Sequence, residues 1–140
     1  DFINSEYELG LDKNLIYDSF SEKIKKLKIQ LKELLVELKK ENKSLFGYGA
    51  SAKGNVLLNY CKIDNTILDF IIDTTPIKQG KYTPGTHIPV YSPDKILDEG
   101  DGSIALLLAW NYKSQILAKE NQFRANGGKF LLPIPQPELI

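Results

Sequence analysis

Several residue types are scarce in this chain of 140 residues, and the scarcity excludes several kinds of site. Cys61 is the only cysteine, so the chain can form neither an internal disulfide nor a zinc cluster built on cysteines. We interpret Cys61 as a buried helix residue. His87 is the only histidine, and it has no second histidine or cysteine with which to complete a metal site. The sequence therefore predicts no bound metal.

An excess of charge of one sign is also missing. The 18 basic and 18 acidic residues give a formal net charge of zero, so no overall field attracts the chain to nucleic acid or to an anionic membrane. No apolar run approaches the roughly 20 residues that cross a bilayer. We therefore expect a cytoplasmic protein whose partner is a small molecule or another protein. Because methionine is absent and the chain opens at Asp1, we also expect a fragment of a longer protein.

The chain divides near residue 43 into two parts with different patterns. From about Asn14 to Asn42, apolar residues recur at steps of three and four, which predicts one long amphipathic helix. Its lysine-rich side is typical of a solvated face, and its leucines predict packing against a core or another domain. We interpret residues 1–43 as an N-terminal extension with a long helix, and residues 44–140 as one compact domain.

Short apolar runs alternate with helical stretches after residue 43, a pattern typical of a three-layer α/β fold with a parallel sheet. The predicted strands cover residues 44–48, 68–72, 103–109 and 129–132, and the predicted helices cover residues 52–61, 94–97 and 113–126. Between Asp73 and Pro93 lies a long segment rich in Gly, Pro, Thr and Lys. Loops of that length in a compact domain are usually functional or disordered.

The first predicted strand runs into a glycine-rich turn and then a helix. Gly47 and Gly49 let the backbone turn sharply and approach a ligand, and the amides that open the helix face an anion. The pattern Gly47-x-Gly49-x-x-Ala52 is by itself a weak fingerprint of dinucleotide binding. Lys53 is either a counter-charge for a phosphate or a plain exposed lysine. The sequence predicts a phosphate site formed by Gly47, Tyr48, Gly49, Lys53, Gly54 and Asn55.

The residues that follow the other strands are further candidates, because ligands of open parallel sheets bind beyond the carboxyl ends of the strands. Asp73 has the spacing of the acidic residue that binds the adenosine ribose in dinucleotide folds, and it is equally interpreted as the cap of a turn. Trp110 can stack on a base or sugar ring, or pack in the core. Asn111 can donate and accept hydrogen bonds with a ligand, or cap the next helix.

The loop of residues 78–87 collects polar side chains near the same edge of the predicted sheet. Lys78, Lys81, Thr86 and His87 could clamp a diphosphate or a sugar. His87 is also a candidate general base. Spacing identifies no partner carboxylate for it, however, so structural hydrogen bonding is the favoured interpretation.

These segments resemble one known family. Residues 46–61 (FGYGASAKGNVLLNYC), 78–89 (KQGKYTPGTHIP), 109–111 (AWN) and 127–135 (GGKFLLPIP) are similar, in the same order, to blocks in the C-terminal domain of sugar C-methyltransferases. The segment before the glycines resembles that family too, so the likeness covers nearly the whole chain. Ser51 departs from a usual proline, which is a mild change because serine is compatible with an early helix position.

The resemblance implies a Rossmann-like domain that binds a nucleotide-activated deoxysugar beside a domain that binds S-adenosylmethionine. In such enzymes a base removes a proton next to a sugar keto group, and the resulting enolate takes the methyl group. This chain has no acidic-x-Gly-x-Gly motif and no cysteine-rich zinc module, so the resemblance places the cofactor in an upstream domain of the same protein. We expect no cofactor in this fragment, no activity of the fragment alone, and no assignable acid or base of the family.

Two other functions are compatible with the residues alone. The glycines and Asp73 fit an NAD(P)-binding module of an oxidoreductase or sensor, although no catalytic Tyr-Lys pair at helical spacing is evident. The leucine helix fits a non-catalytic docking domain that pairs with another subunit.

Overall fold

A computed structural model describes all 140 residues and contains a six-stranded sheet flanked by helices. The strands are β1 (Leu45–Tyr48), β2 (Phe70–Ile72), β3 (Val90–Tyr91), β4 (Ile104–Leu107), β5 (Lys129–Leu132) and β6 (Glu138–Leu139). The α-helices are α1 (Phe2–Glu8), α2 (Asn14–Lys40), α3 (Ala52–Cys61), α4 (Lys113–Lys119) and α5 (Asn121–Ala125). Three 3₁₀ segments cover Pro76–Lys78, Pro93–Asp98 and Trp110–Tyr112.

The sheet has the strand order β3-β2-β1-β4-β5-β6. The first five strands are parallel, and β6 is antiparallel to β5. The chain moves outward from β1 in one direction to β2 and β3, and then in the other direction to β4 and β5. This reversal creates a switch point between β1 and β4, where ligands of such sheets bind. The fold is the Rossmann-like α/β architecture that the sequence predicts.

Side chains that alternate along the strands build two separate cores, one on each face of the sheet. Ile104 and Leu106 of β4 join the core under α2 and α3, whereas Ala105 and Leu107 join the core under α4, α5 and the 3₁₀ segment after β3. Both faces of β4 are therefore covered, which explains its uniformly apolar sequence. Cys61 is fully buried in the first core, as expected, and burial raises the pKa of its thiol.

The helices α2 and α3 and the strand β5 have nearly the predicted bounds, but one predicted helix is interrupted. Residues 113–126 form α4 and α5 with a break at Glu120. The Glu120 side chain is buried and accepts a 2.6 Å hydrogen bond from the hydroxyl of Tyr48. The strands β3 and β6 have two residues each, which is too short for an alternating pattern to reveal.

The N-terminal part of the chain packs against the sheet only in its second half. The first buried residue of α2 is Leu27, and α1 buries none. Several large apolar side chains before that point are exposed, among them Phe2, Leu15 and Phe20. The helices contain no segment with the length and hydrophobicity of a membrane span.

Candidate functional site

The glycine-rich turn after β1 lets α3 begin very close to the end of β4. Gly49 has a φ of +88°, and a Cβ atom there would lie 2.8 Å from the Cβ of Ala109. A Cβ at Gly54 would lie 2.7 Å from the Cβ of Leu108. Both positions exclude a side chain, since real Cβ contacts are not this short. The glycines therefore bring the helix N-terminus to the switch point of the sheet.

Asp73, at the end of β2, fastens this turn. Its carboxylate accepts hydrogen bonds from the amides of Ala50 at 2.7 Å and Thr75 at 2.8 Å, and from the Lys78 ammonium at 3.3 Å. Burial raises the pKa of the Asp73 carboxyl, but the bonds from Thr75 and Lys78 outweigh this and hold the pKa below its usual value. Lys78 also donates to the carbonyl of Ala50 at 2.9 Å. Asp73 thus caps the turn of residues 73–75, which is one of the two roles that the sequence predicts for it.

The N-terminus of α3 leaves few amides for a ligand. Ser51 is the N-cap: its hydroxyl accepts from the amide of Gly54 at 3.1 Å and donates to the carbonyl of Leu108 at 2.9 Å. With the Ala50 amide bound to Asp73, only the amides of Ala52 and Lys53 lack an acceptor within the chain. The turn can therefore offer two backbone donors to an anion.

A cleft of about 680 Å³, which we call the larger cleft, lies between this turn and the segment after β2. Asn55 lines it from α3, and Lys78, Lys81 and Tyr82 line it from the facing segment. The Asn55 side-chain oxygen is buried and has no hydrogen-bond partner. Two stretches that the sequence singles out separately, residues 46–55 and 78–87, thus form opposite walls of one cleft.

The segment of residues 78–87 is folded rather than open, and this decides which of its side chains reach the cleft. The hydroxyls of Thr83 and Thr86 lie 2.6 Å apart, and Thr83 also accepts from the amide of Ile88 at 2.9 Å. Thr86 is buried in this turn. His87 is exposed and has a left-handed φ of +52°. Neither Thr86 nor His87 lines the larger cleft, whereas Lys78 and Lys81 do.

A second cleft, of about 310 Å³, opens on the other side of Lys78, and we call it the smaller cleft. It is lined by the ends of three strands and by α4, with the residues Tyr48, Gly49, Ile72, Asp73, Ala109, Gln115, Ile116 and Lys119 among others. Burial, and then the hydrogen bond to Glu120, raise the pKa of the Tyr48 phenol well above its usual range. Gln115 and Lys119 escaped the sequence reasoning, because nothing in an exposed helix face distinguishes them.

Trp110 and Asn111, which follow β4, occupy different environments. The Trp110 ring is partly buried and packs against both cores, and the ammonium of Lys53 lies 5.1 Å from the centre of its ring. Asn111 is exposed, and its side chain makes no hydrogen bond, so it does not cap α4. No group of three or more His, Cys, Asp or Glu side chains is arranged to hold a metal ion.

Comparison with known proteins identifies the family. The family model for the C-methyltransferase C-terminal domain matches residues 1–135. The C-methyltransferase NovU of Streptomyces niveus is 36% identical over 140 residues, which are 100% of this chain and 33% of that protein. The chain thus spans about a third of the length of the curated relative that it matches. It belongs to the family of C-methyltransferase C-terminal domains.

Proposed function

We propose that this chain is the substrate-binding domain of an S-adenosylmethionine-dependent C-methyltransferase and that it holds the nucleotide part of an activated deoxysugar in the larger cleft. The observation that carries the proposal is the meeting of residues 46–55 and 78–87 across that cleft. Both stretches belong to the blocks that resemble sugar C-methyltransferases. Their convergence supports a shared ligand, because clefts lined by apolar side chains and a few polar groups are the usual ligand sites of proteins.

The donors and acceptors of the larger cleft suit a nucleotide. Lys78 and Lys81 supply positive charge for phosphate oxygens, and the amide of Ala52, which also lines the cleft, adds a neutral donor. The unpartnered oxygen of Asn55 needs a hydrogen-bond donor, which a phosphate does not provide. The N–H of a pyrimidine base or a sugar hydroxyl does provide one.

The methyl donor belongs, in this proposal, to an upstream domain of the same cytoplasmic protein. The chain contributes binding and orientation of the substrate, and no methyl transfer occurs on it alone. The exposed apolar side chains of residues 1–20, such as Phe2, Leu15 and Phe20, support a contact with that domain, because nothing in this fold covers them. The same observation favours a docking role for this part of the chain, as the sequence also allows. In this proposal the docking role accompanies substrate binding.

Dinucleotide binding is less well supported. In dinucleotide folds an acidic residue after the second strand binds the ribose hydroxyls. Asp73, the residue with that spacing, already accepts from Ala50, Thr75 and Lys78. A ribose would have to displace the contacts that fasten the glycine-rich turn.

Calorimetric titration of the chain with dTDP-6-deoxyglucose, dTDP, NAD and S-adenosylmethionine tests the proposal. We expect both dTDP compounds to bind, and NAD and S-adenosylmethionine not to bind. Lys81→Gln should weaken dTDP binding by about tenfold, the effect of one charge-assisted contact. Lys129→Gln, an exposed lysine on β5, is the matched control and should bind like the wild type. Binding of NAD alone, or of none of the four compounds, would refute the proposed function.

A further inference from the structure

One lysine stands between the two clefts. Ser51 and Lys78 line both the larger and the smaller cleft. The Lys78 side chain is 41% exposed, so its ammonium faces solvent as well as Asp73 and the glycine-rich turn. A ligand with a ring at each end and an anionic link in the middle would meet Lys78 at its link.

Lys78 retains an unused hydrogen-bond donor. An ammonium group has three donors. Two of them are used, by the Ala50 carbonyl at 2.9 Å and by the Asp73 carboxylate at 3.3 Å. The third is free for a phosphate oxygen, and the unpaired amides of Ala52 and Lys53 follow the shared residue Ser51 directly in the chain. These donors suit the diphosphate link of a nucleotide sugar.

The smaller cleft has less than half the volume of the larger one, about 310 Å³ against about 680 Å³. Ile72, Ala109 and Ile116 give it an apolar floor, and the carboxylate beside them is already satisfied by three donors. Such a floor suits a deoxysugar, which has lost hydroxyl groups. A nucleoside has two rings and needs more room than a single sugar ring, so the larger cleft suits it better. Asn55 and Lys81, which can bond to the carbonyls and N–H of a base, line the larger cleft.

We infer that Lys78 anchors the diphosphate and that the smaller cleft holds the sugar ring, with the nucleoside in the larger cleft. The inference rests on the proposed function and adds the orientation of the substrate to it. The sugar then lies on the ends of β1, β2 and β4 under α4. Its outer side faces solvent, from which a methyl donor can approach.

A pair of tryptophan substitutions on α4 tests where the sugar lies. Gln115→Trp fills the smaller cleft from its exposed rim, whereas Ser114→Trp adds the same side chain at a neighbouring exposed position that does not line the cleft. Calorimetry of the wild-type chain should show tighter binding of dTDP-6-deoxyglucose than of dTDP. Gln115→Trp should reduce the affinity for dTDP-6-deoxyglucose to that for dTDP and leave dTDP binding unchanged. Ser114→Trp should change neither affinity.

The possible results separate the two proposals. The sugar placement would be overturned, while nucleotide binding stands, by equal wild-type affinities for the two ligands, by unchanged dTDP-6-deoxyglucose binding in Gln115→Trp, or by an equal loss for both ligands in that variant. A loss of dTDP-6-deoxyglucose affinity in Ser114→Trp as large as in Gln115→Trp would overturn it as well. Failure of the wild-type chain to bind either ligand would refute the proposed function and this inference together.

The anchoring role of Lys78 has its own test. Lys78→Gln should weaken dTDP binding by roughly ten- to a hundredfold, as expected for the loss of one charged hydrogen-bond donor, and Lys78→Arg should restore much of it. Because a merely structural lysine would not change the salt dependence of binding, dTDP affinity is measured at low and high salt. A Lys78→Gln variant whose dTDP affinity falls with salt as steeply as that of the wild type would overturn the anchoring role.

Discussion

Replacing Asp73 with asparagine tests whether its charge holds the glycine-rich turn in place. Asparagine has nearly the same shape but only one oxygen, so it can accept from the amide of Ala50 or of Thr75 but not from both. The substitution also removes the charged partner of Lys78. Since hydrogen bonds to a buried charge contribute about 1.5–3 kcal/mol, we expect Asp73→Asn to lower the free energy of unfolding by about 2–3 kcal/mol at pH 7.

Urea unfolding measures this change, with the fluorescence of Trp110, the only tryptophan, as the signal. With a urea m value of about 2 kcal/mol per molar, the unfolding midpoint should fall by about 1 M. Asp98→Asn is the control, because the Asp98 side chain is 72% exposed and pairs only with Lys95 at 3.4 Å. Its effect should stay within about 0.5 kcal/mol, as for most surface substitutions.

The pH dependence distinguishes a charge effect from a shape effect. The pKa of Asp73 is lower in the folded chain than the value of about 3.9 expected in the unfolded chain. Its stabilising contribution is therefore fully present above the unfolded pKa and is lost as the pH falls through the folded pKa. The difference between wild type and Asp73→Asn should be constant from about pH 8 to pH 5 and should shrink below about pH 4. A difference that stays the same at pH 3, or no difference at pH 7, would refute the reasoning.

Three further predictions follow from the packing. Gly54→Ala should lower the free energy of unfolding, measured in urea, by about 1–2 kcal/mol, because the new Cβ would lie 2.7 Å from the Cβ of Leu108. In the control Gly100→Ala the new Cβ would have no contact under 3.8 Å, so this variant should be neutral, and stabilisation by Gly54→Ala would contradict the prediction. In a spectrophotometric titration, Tyr48 should stay protonated above the usual tyrosine pKa of about 10, and the free energy of unfolding should fall as the pH rises above about 10. Simultaneous ionisation of all 7 tyrosines would contradict this prediction. Deleting residues 1–12 should change the free energy of unfolding by less than about 0.5 kcal/mol, since α1 buries no residue. A loss above about 1 kcal/mol would contradict this prediction, because it would mean that these residues pack against the domain.

The fold could be predicted from the sequence wherever a long element has one clear period. The stripe of leucines predicts α2, and the uniformly apolar run around residues 104–108 predicts the central strand β4. The break between α4 and α5 was missed, although one signal was present. Glu120 lies four residues after Ile116 and three before Phe123, so it is on the buried side of the helix, where a carboxylate needs a partner.

The candidate site was predictable in its location but not in its contacts. The ends of β1, β2 and β4 do meet at one edge, as parallel topology requires. The positions of Thr86 and His87 depend on how residues 78–90 fold back on α3, where the Asn59 side chain donates to the carbonyl of Pro84 at 3.1 Å. Such a contact joins residues 25 positions apart and has no local pattern, so sequence spacing could not reveal it.

The glycine motif shows how one pattern can support two kinds of site. In dinucleotide folds the glycines free backbone amides for a pyrophosphate, and the acidic residue is left for the ribose. In this chain Asp73 accepts from the Ala50 amide, so that amide is not free for a pyrophosphate and the carboxylate is not free for a ribose. In the proposed function the positive charge for the phosphates therefore comes from side chains, and Lys78 lies where it can supply it. The contact between the carboxylate after β2 and the amide after the second glycine argues against a dinucleotide, although the spacing of the motif suits one.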